Sequence, residues 1–202
     1  MRFDFGEVIT AMVTPFNSKG EVDYTRAEDL ADKLFQNGSD SIIVTGTTGE
    51  SPTLIYDEEI ELLNSVKRAS RNLKKVIMGT GSNCTETAVM MSKRAEKEGA
   101  DGILSVVPYY NKPSQKGIIA HFSAIAEAVK LPIILYNIPS RTGISMSVET
   151  AKYLTEKYPI ILVTFDGIMQ ENVDYENEKI VICNNDEFKK YLEEGIFLKN
   201  CE

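Results

Sequence analysis

Short apolar runs alternate along the chain with longer segments in which apolar residues recur at helical spacing. The runs are typical of buried strands, and the longer segments are typical of amphipathic helices. The first pair shows the pattern: a run at Val8–Phe16 precedes a helical segment at Tyr24–Phe35, which Asn37 and Gly38 end. Strands that alternate with crossover helices predict an α/β fold with a parallel sheet.

The same alternation continues for most of the chain. Further strands are predicted at Ser41–Val44, Val76–Met78, Gly102–Val107, Pro132–Tyr136 and Ile160–Phe165. Helices are predicted at Asp57–Leu73, Thr85–Glu98, Ser114–Val129 and Val148–Lys157. Beyond Phe165 the periodicity is weaker. A short helix or ordered loop is predicted at Asp166–Glu178 and a seventh strand at Lys179–Cys183. A helix at Asp186–Glu194 and an eighth strand at Ile196–Leu198 complete the predictions.

Glycines and turn residues gather just after the predicted strand ends. Eight strands joined by helices in this way predict one (β/α)8 TIM-barrel domain over residues 1–202. An open doubly wound sheet is the alternative, because it is built from the same units.

Charge and hydropathy restrict the partners. The chain has 22 basic and 30 acidic residues, a net charge of -8, so its surface repels phosphate backbones and anionic lipids. Its apolar runs are too short to span a bilayer, and its N-terminal residues lack the apolar core of a signal peptide. We therefore expect a cytoplasmic protein that binds neither nucleic acid nor membranes.

Cysteine and histidine are too sparse for a disulfide framework or a zinc site. The three cysteines, Cys84, Cys183 and Cys201, are widely spaced, and His121 is the only histidine in the sequence. We expect reduced thiols, no metal and no cofactor. A histidine at the start of an apolar helical run is more often structural than catalytic.

Candidate site residues lie where the predicted strands end, since side chains there point into the site of a barrel. Gly46 and Gly49 flank Thr47 and Thr48, so amides and hydroxyls can converge on an anion such as a carboxylate. The alternative is a tight turn with a helix cap at Ser51 or Thr53.

The next two strand ends carry phenols and a guanidinium. Tyr109 and Tyr110 follow the fourth strand, and Tyr136 and Arg141 are at and after the end of the fifth. A phenol that is hydrogen-bonded to a threonine hydroxyl can pass protons, and an arginine can grip a carboxylate with two hydrogen bonds. Taken singly, each tyrosine could instead be a half-buried ring with its hydroxyl in water.

Three segments together resemble the dihydrodipicolinate synthase family. They read Gly-Thr-Thr-Gly-Glu-Ser at 46–51, Pro-Tyr-Tyr-Asn-Lys-Pro at 108–113 and Tyr-Asn-Ile-Pro-Ser-Arg-Thr-Gly at 136–143. The similarity extends from Val8 to about Ile161 and is faint beyond. The resemblance implies a homo-oligomeric lyase of lysine biosynthesis that condenses pyruvate with aspartate semialdehyde, through an imine between pyruvate and a lysine on the sixth strand.

The resemblance also implies roles for individual residues. Thr47, Tyr136 and Tyr110 match the catalytic proton relay, with Tyr110 contributed across a dimer interface. Thr48 matches a residue that binds the pyruvate carboxylate, and Arg141 matches the residue that receives the semialdehyde carboxylate. An arginine at this position favours the synthase over relatives such as N-acetylneuraminate lyase.

The sequence departs from the family at the imine-forming lysine. When the sixth-strand segment is aligned with that of the family without gaps, Thr164 falls at the position of this lysine. A hydroxyl cannot form an imine. Lys157 and Lys179 are expected near the other end of the barrel, and Lys112 would require the pyruvate site to be rebuilt.

The family's last barrel helix and small helical C-terminal domain have no counterpart before Glu202. The expectation is an incomplete barrel, less stable than its relatives unless a partner covers the exposed apolar face. Three interpretations stay open: a synthase with its lysine elsewhere, a catalytically dead member that binds keto acids or partners with an intact homologue, and a truncated or frame-altered product without function.

Overall fold

The computed structural model describes residues 4–165 and 180–183, with side chains over 4–160. The strands are β1 (Ile9–Ala11), β2 (Ser41–Val44), β3 (Lys75–Gly79), β4 (Gly102–Val106), β5 (Ile133–Asn137), β6 (Ile160–Phe165) and β7 (Ile180–Cys183). The α-helices are α1 (Tyr24–Gln36), α2 (Tyr56–Ser70), α3 (Thr85–Lys97), α4 (Gln115–Ala128), α5 (Pro139–Thr142) and α6 (Val148–Lys157). A 3-10 helix occupies Ser51–Thr53.

The first of two compact units contains residues 4–80 and 91–104. Strands β1, β2, β3 and the start of β4 are parallel neighbours in chain order, with Ile9 opposite Ser41, Ser41 opposite Lys75 and Ile77 opposite Gly102. Helices α1 and α2 pack against each other. Fully buried side chains from strands and helices form the core, among them Ile42, Val44, Leu63, Val66 and Ile77.

The second unit contains residues 81–90 and those from Ser105 onward. The amide of Val107, just after β4, donates to the carbonyl of Tyr136 in β5 at 2.9 Å. Strands β5, β6 and β7 are again parallel neighbours in chain order. The core of this unit includes Phe122 and Ile125 of α4 and Leu135 of β5, all fully buried.

Polar side chains fix the starts of three helices. The carboxylate of Asp23 accepts a hydrogen bond from the amide of Arg26 at 3.0 Å and caps α1. The hydroxyls of Ser114 and Ser147 cap α4 and α6 in the same way. Such caps satisfy amides that have no partner in the first helical turn, so each defines where its helix begins.

Most observed elements agree with the sequence predictions within one or two residues, but the second predicted helix ends at Ser70 and not at Leu73, and the 3-10 helix at Ser51–Thr53 was not predicted. The predicted first strand, Val8–Phe16, is a strand only at Ile9–Ala11, and Phe16 forms an isolated bridge with Val22. The ladder ends where the amide of Met12 donates to the carbonyl of Ile43 at 3.0 Å, and Pro15 further along has no amide with which to resume it. Helix α5 was not predicted, because one helical turn is too short to show periodicity.

Several predicted elements lie outside the described residues. They are the helix or loop at Asp166–Glu178, the helix at Asp186–Glu194 and the strand at Ile196–Leu198. The predicted seventh strand is confirmed at Ile180–Cys183. No helix in the described part of the chain is long and apolar enough to cross a membrane.

Two buried groups have displaced pKa values. Burial lowers the pKa of His121 on α4 to about 4, and its Nδ1 lies 2.9 Å from the hydroxyl of Thr85. Burial raises the pKa of Glu59 on α2 to about 7, which the charge of Arg94 opposes. His121 is thus neutral and packed in a core, as expected of a structural histidine.

These two groups are expected to change stability in opposite directions on acidification. Between pH 6.5 and 4 the unfolded chain binds a proton at residue 121 that the folded chain refuses, so stability falls as pH falls. Between pH 7 and 4.5 the folded chain holds a proton at residue 59 that the unfolded chain releases, so stability rises as pH falls.

The two effects separate in the variants His121→Gln and Glu59→Gln. From pH 7.5 to pH 5, we expect the free energy of unfolding of His121→Gln to rise by about 2 kcal/mol relative to that of the natural chain. Over the same range, that of Glu59→Gln is expected to fall by about 2 kcal/mol relative to the natural chain. Urea unfolding at both pH values measures this difference. Stability changes with pH that match those of the natural chain in both variants would contradict it.

Candidate active site

The turn after β2 begins with a buried threonine in an unusual backbone conformation. Thr45 has φ of +54°, a left-handed conformation that β-branched residues rarely adopt. Its hydroxyl donates to the carbonyl of Gly79 at the end of β3 at 2.9 Å. Strain of this kind persists only where surrounding contacts fix the chain, and it clusters at functional sites.

The same turn is closed by further hydrogen bonds. The amide of Gly49 donates to the carbonyl of Gly46 at 3.0 Å, and the hydroxyl of Thr14 donates to the carbonyl of Gly49 at 2.6 Å. A β-carbon on Gly49 would lie 3.2 Å from the carbonyl oxygen of Met12. The turn is therefore closed by several hydrogen bonds and leaves little room for a side chain at residue 49.

Thr47 and Thr48 occupy the exposed apex of this turn. The carbonyl of Thr47 accepts from the amide of Glu50 at 3.2 Å. Of the alternative interpretation, the tight turn is observed, but the helix cap at Ser51 or Thr53 is wrong, since α2 begins at Tyr56 and the carboxylate of Glu58 accepts from the amide of Ile55 at 2.9 Å. Neither Ser51 nor Thr53 therefore caps α2.

The loop after β4 presents its tyrosines to solvent in a strained conformation. Tyr109 is 38% exposed and Tyr110 is 88% exposed. Tyr110 and Lys112 have φ of +65° and +47°. The side-chain amide of Asn111 donates to the carbonyl of Asn83 at 2.8 Å, which ties this loop to the segment before α3.

The segment after β5 is a single helical turn, α5, closed by a glycine. Gly143 has φ of +70° and its amide donates to the carbonyl of Pro139 at 2.9 Å. The hydroxyl of Thr142 donates to the carbonyls of Ile138 and Ile144 at 3.0 and 2.8 Å. Arg141, which lies in this fixed turn, is exposed, and Tyr136 in β5 is half-buried.

A glutamine on α4 fixes the chain that follows Gly143. The side-chain amide of Gln115 donates to the carbonyl of Ser145 at 2.9 Å. Its carbonyl oxygen accepts from the amide of Ser147 and from the hydroxyl of Thr150, each at 2.9 Å. In addition, the side-chain carbonyl of Asn137 accepts from the amide of Met146 at 3.1 Å. The segment between β5 and α6 is therefore fixed by hydrogen bonds with Asn137 and with Gln115.

Backbone pairing gives the position of Thr164. In the parallel ladder it stands opposite Asn137 of β5 and Ile182 of β7, one residue before the end of β6. Of the lysines considered from sequence, Lys157 lies on α6 with its ammonium 4.9 Å from the ring centre of Tyr158. Lys112 lies on the exposed loop after β4, and Lys179 is outside the described residues.

Each predicted site residue lies at or just beyond the carboxyl end of a parallel strand. Thr47 and Thr48 belong to the first unit, and Tyr110, Tyr136 and Arg141 belong to the second. In the second unit, the loops after β4 and β5 meet where the Lys112 side chain lies on Gly143.

Sequence reasoning missed the supporting residues Thr45, Asn83 and Asn111. Glycine signals turns, but a left-handed threonine has no sequence signal, and neither does a hydrogen bond between two distant asparagines. Over the described side chains, no group of acidic, histidine and cysteine residues could hold a metal ion.

The sequence model of the dihydrodipicolinate synthetase family matches residues 4–191. The chain belongs to this family. A relative named 4-hydroxy-tetrahydrodipicolinate synthase, from Synechococcus sp. (strain JA-2-3B'a(2-13)), is 54% identical over 160 residues, which cover 79% of this chain and 52% of the relative. The chain thus spans about half the length of such relatives.

Solved structures of the family are similar in fold. Dihydrodipicolinate synthase from Cyanidioschyzon merolae with lysine bound has a TM-score of 0.76 and 53% identity, covering 86% of this chain and 58% of that one. The chloride-inhibited enzyme from Acinetobacter baumannii complexed with pyruvate has a TM-score of 0.82 and 36% identity, covering 93% and 66%.

Family membership confirms the predicted TIM-barrel fold class. Strand order within each unit agrees, because neighbouring strands follow chain order without the reversal that a doubly wound sheet requires. The open-sheet alternative is therefore rejected. The assignment of residues 1–202 to one domain stays a prediction.

Proposed function

We propose that this chain supplies the substrate-binding and proton-transfer residues of a 4-hydroxy-tetrahydrodipicolinate synthase-like lyase. Such a lyase condenses pyruvate with aspartate semialdehyde in lysine biosynthesis. The observation that carries the proposal is the position of a hydroxyl pair, two tyrosines and an arginine at or just after three strand ends of a family member. These group types suit two carboxylate-bearing substrates and the movement of protons between them.

Each residue has a proposed role. The hydroxyl of Thr48 binds the pyruvate carboxylate, in a turn whose backbone is held by the hydrogen bonds of Thr14 and Thr45. Thr47, Tyr136 and Tyr110 pass protons as carbon–carbon bond formation proceeds. Arg141 binds the carboxylate of the semialdehyde from the fixed turn α5.

Tyr110 is proposed to act in a second copy of the chain. At 88% exposure its hydroxyl is available to another subunit, and the left-handed loop that carries it is tied down through Asn111. Burial of that ring between subunits would remove a large apolar surface from water. The expectation is a homo-oligomer.

Thr164 supports a second candidate function. A family member without an amine at the end of β6 would bind keto acids, alone or with an intact homologue, and would not form the imine that turnover requires. The two candidates share the binding step and differ in the covalent step, so one pair of measurements separates them.

Calorimetric titration with pyruvate tests the shared step. The natural chain is expected to bind pyruvate, and Thr48→Val, which removes one hydroxyl at almost constant volume, is expected to bind it about tenfold more weakly. The matched control is Thr25→Val, an exposed threonine on α1. Equal affinity in Thr48→Val and Thr25→Val would refute the role of Thr48, and absence of binding by the natural chain would refute both candidates.

Reduction with borohydride in the presence of pyruvate tests the covalent step. A synthase predicts a stable pyruvate adduct on one lysine, found as an increase in intact mass and located by peptide mapping. The binding-only candidate predicts heat of binding without any increase in mass.

A further inference from the structure

Lys112 and Arg141 are cations that lack an acidic partner within the described side chains. Some other basic residues in the described part of the chain are paired, such as Arg68 with Glu28 at 3.0 Å and Lys74 with Asp40 at 3.3 Å, whereas surface lysines such as Lys116 are not. What sets Lys112 and Arg141 apart is their place: both lie on loops that follow strands of one unit, in a chain with a net charge of -8. They favour binding of an anion that comes from outside the chain.

The side chain of Lys112 lies on Gly143, the residue that closes the turn containing Arg141. A β-carbon built on Gly143 would lie 3.1 Å from Cε of Lys112 and 3.6 Å from its Nζ. Glycine at 143 therefore serves two needs: it adopts the left-handed φ of +70° and it leaves room for the lysine stem. Lys112 is exposed, so its ammonium is open to a ligand there.

The backbone around Lys112 is held in a conformation that local preference disfavours. Lys112 itself has φ of +47°, two residues after Tyr110 at +65°. The hydrogen bond from Asn111 to the carbonyl of Asn83 stabilises this path of the loop. Strain maintained by tertiary contacts at a loop that follows a barrel strand is typical of a residue held in place for binding.

We propose that Lys112 is a specificity-determining residue that binds, together with Arg141, the carboxylate of the second substrate. The guanidinium supplies directional hydrogen bonds and the ammonium supplies a compact charge on the same anion. The inference rests on the proposed function and extends it, because it selects aldehydes that bear a carboxylate over neutral aldehydes of equal size.

The test compares Lys112→Gln and Lys112→Arg with the natural chain in calorimetric titrations. The probe is succinic semialdehyde, which carries an aldehyde and a carboxylate, and pyruvate is titrated in parallel. Lys112→Gln is expected to weaken binding of the semialdehyde about tenfold and to leave the affinity for pyruvate unchanged. Lys112→Arg is expected to restore most of the lost affinity.

Lys116→Gln is the matched control, because it removes one positive charge from an exposed residue on α4 of the same unit. If Lys112 only stabilises the end of α5, Lys112→Gln will lower the melting temperature without changing either affinity, and the proposal is overturned. It is overturned equally if the natural chain does not bind the semialdehyde, or if reductive trapping attaches pyruvate to Lys112. Failure of the natural chain to bind pyruvate would instead count against the proposed function.

Discussion

Replacement of Thr164 by lysine is expected to create a chain that pyruvate and borohydride modify covalently, with about one adduct for each chain. Under the binding-only candidate, the natural chain is expected to give less than about a tenth of that yield, because the hydroxyl at residue 164 cannot form an imine. Thr164 stands opposite Asn137 near the carboxyl end of β6, where barrel residues reach the site. Intact mass after reduction measures the adduct, and peptide mapping locates it.

The control for this experiment is Thr164→Met, which has an unbranched side chain of comparable reach but no amine. Equal labelling of Thr164→Lys and Thr164→Met would show that the adduct forms elsewhere. A full adduct on the natural chain would support the synthase candidate and contradict the binding-only candidate. A variant Thr164→Lys that binds pyruvate but stays unlabelled would show that β6 does not bring residue 164 to the substrate.

The sequence predicted the elements with strong periodicity or an unambiguous stop. Helix α6 was predicted with its observed bounds, and α1 ends at Gln36, next to the predicted stop at Asn37 and Gly38. The first strand was predicted too long, because apolar composition continues through Pro15 although hydrogen bonding does not. Hydrophobic patterning records which residues are buried, but not which amides have partners.

The site shows the same division between what the sequence predicts and what it does not. Motifs indicated which residues follow the strands, including Thr47 and Arg141. They did not indicate the contact between Lys112 and Gly143, since it depends on left-handed backbone conformations at both residues. Non-glycine residues with positive φ are set by the surrounding structure, and sequence preference argues against them.

Gly79→Ala is expected to cause the largest loss of stability among single changes around the site, about 3 kcal/mol. A β-carbon at residue 79 would stand 2.3 Å from the carbonyl oxygen of Thr45 and 2.7 Å from its carbonyl carbon. These are backbone atoms, so no side-chain rotation can relieve the overlap. Moving Thr45 would break its hydrogen bond to Gly79 and shift the turn that carries Thr47 and Thr48.

Gly46→Ala is the matched control for this change, because it adds the same methyl group within the turn that Gly79 packs against. Its β-carbon would meet side-chain atoms of Ile43 and Leu104 at 3.5 and 3.9 Å, which is ordinary van der Waals contact. We therefore expect it to change the free energy of unfolding by less than about 1 kcal/mol. Urea unfolding of both variants measures the difference in stability. Calorimetric titration with pyruvate shows whether the turn that carries Thr47 and Thr48 still binds the ligand. Equal losses of stability would mean that the approach of β3 to Thr45 is not the constraint, since both variants lose a glycine.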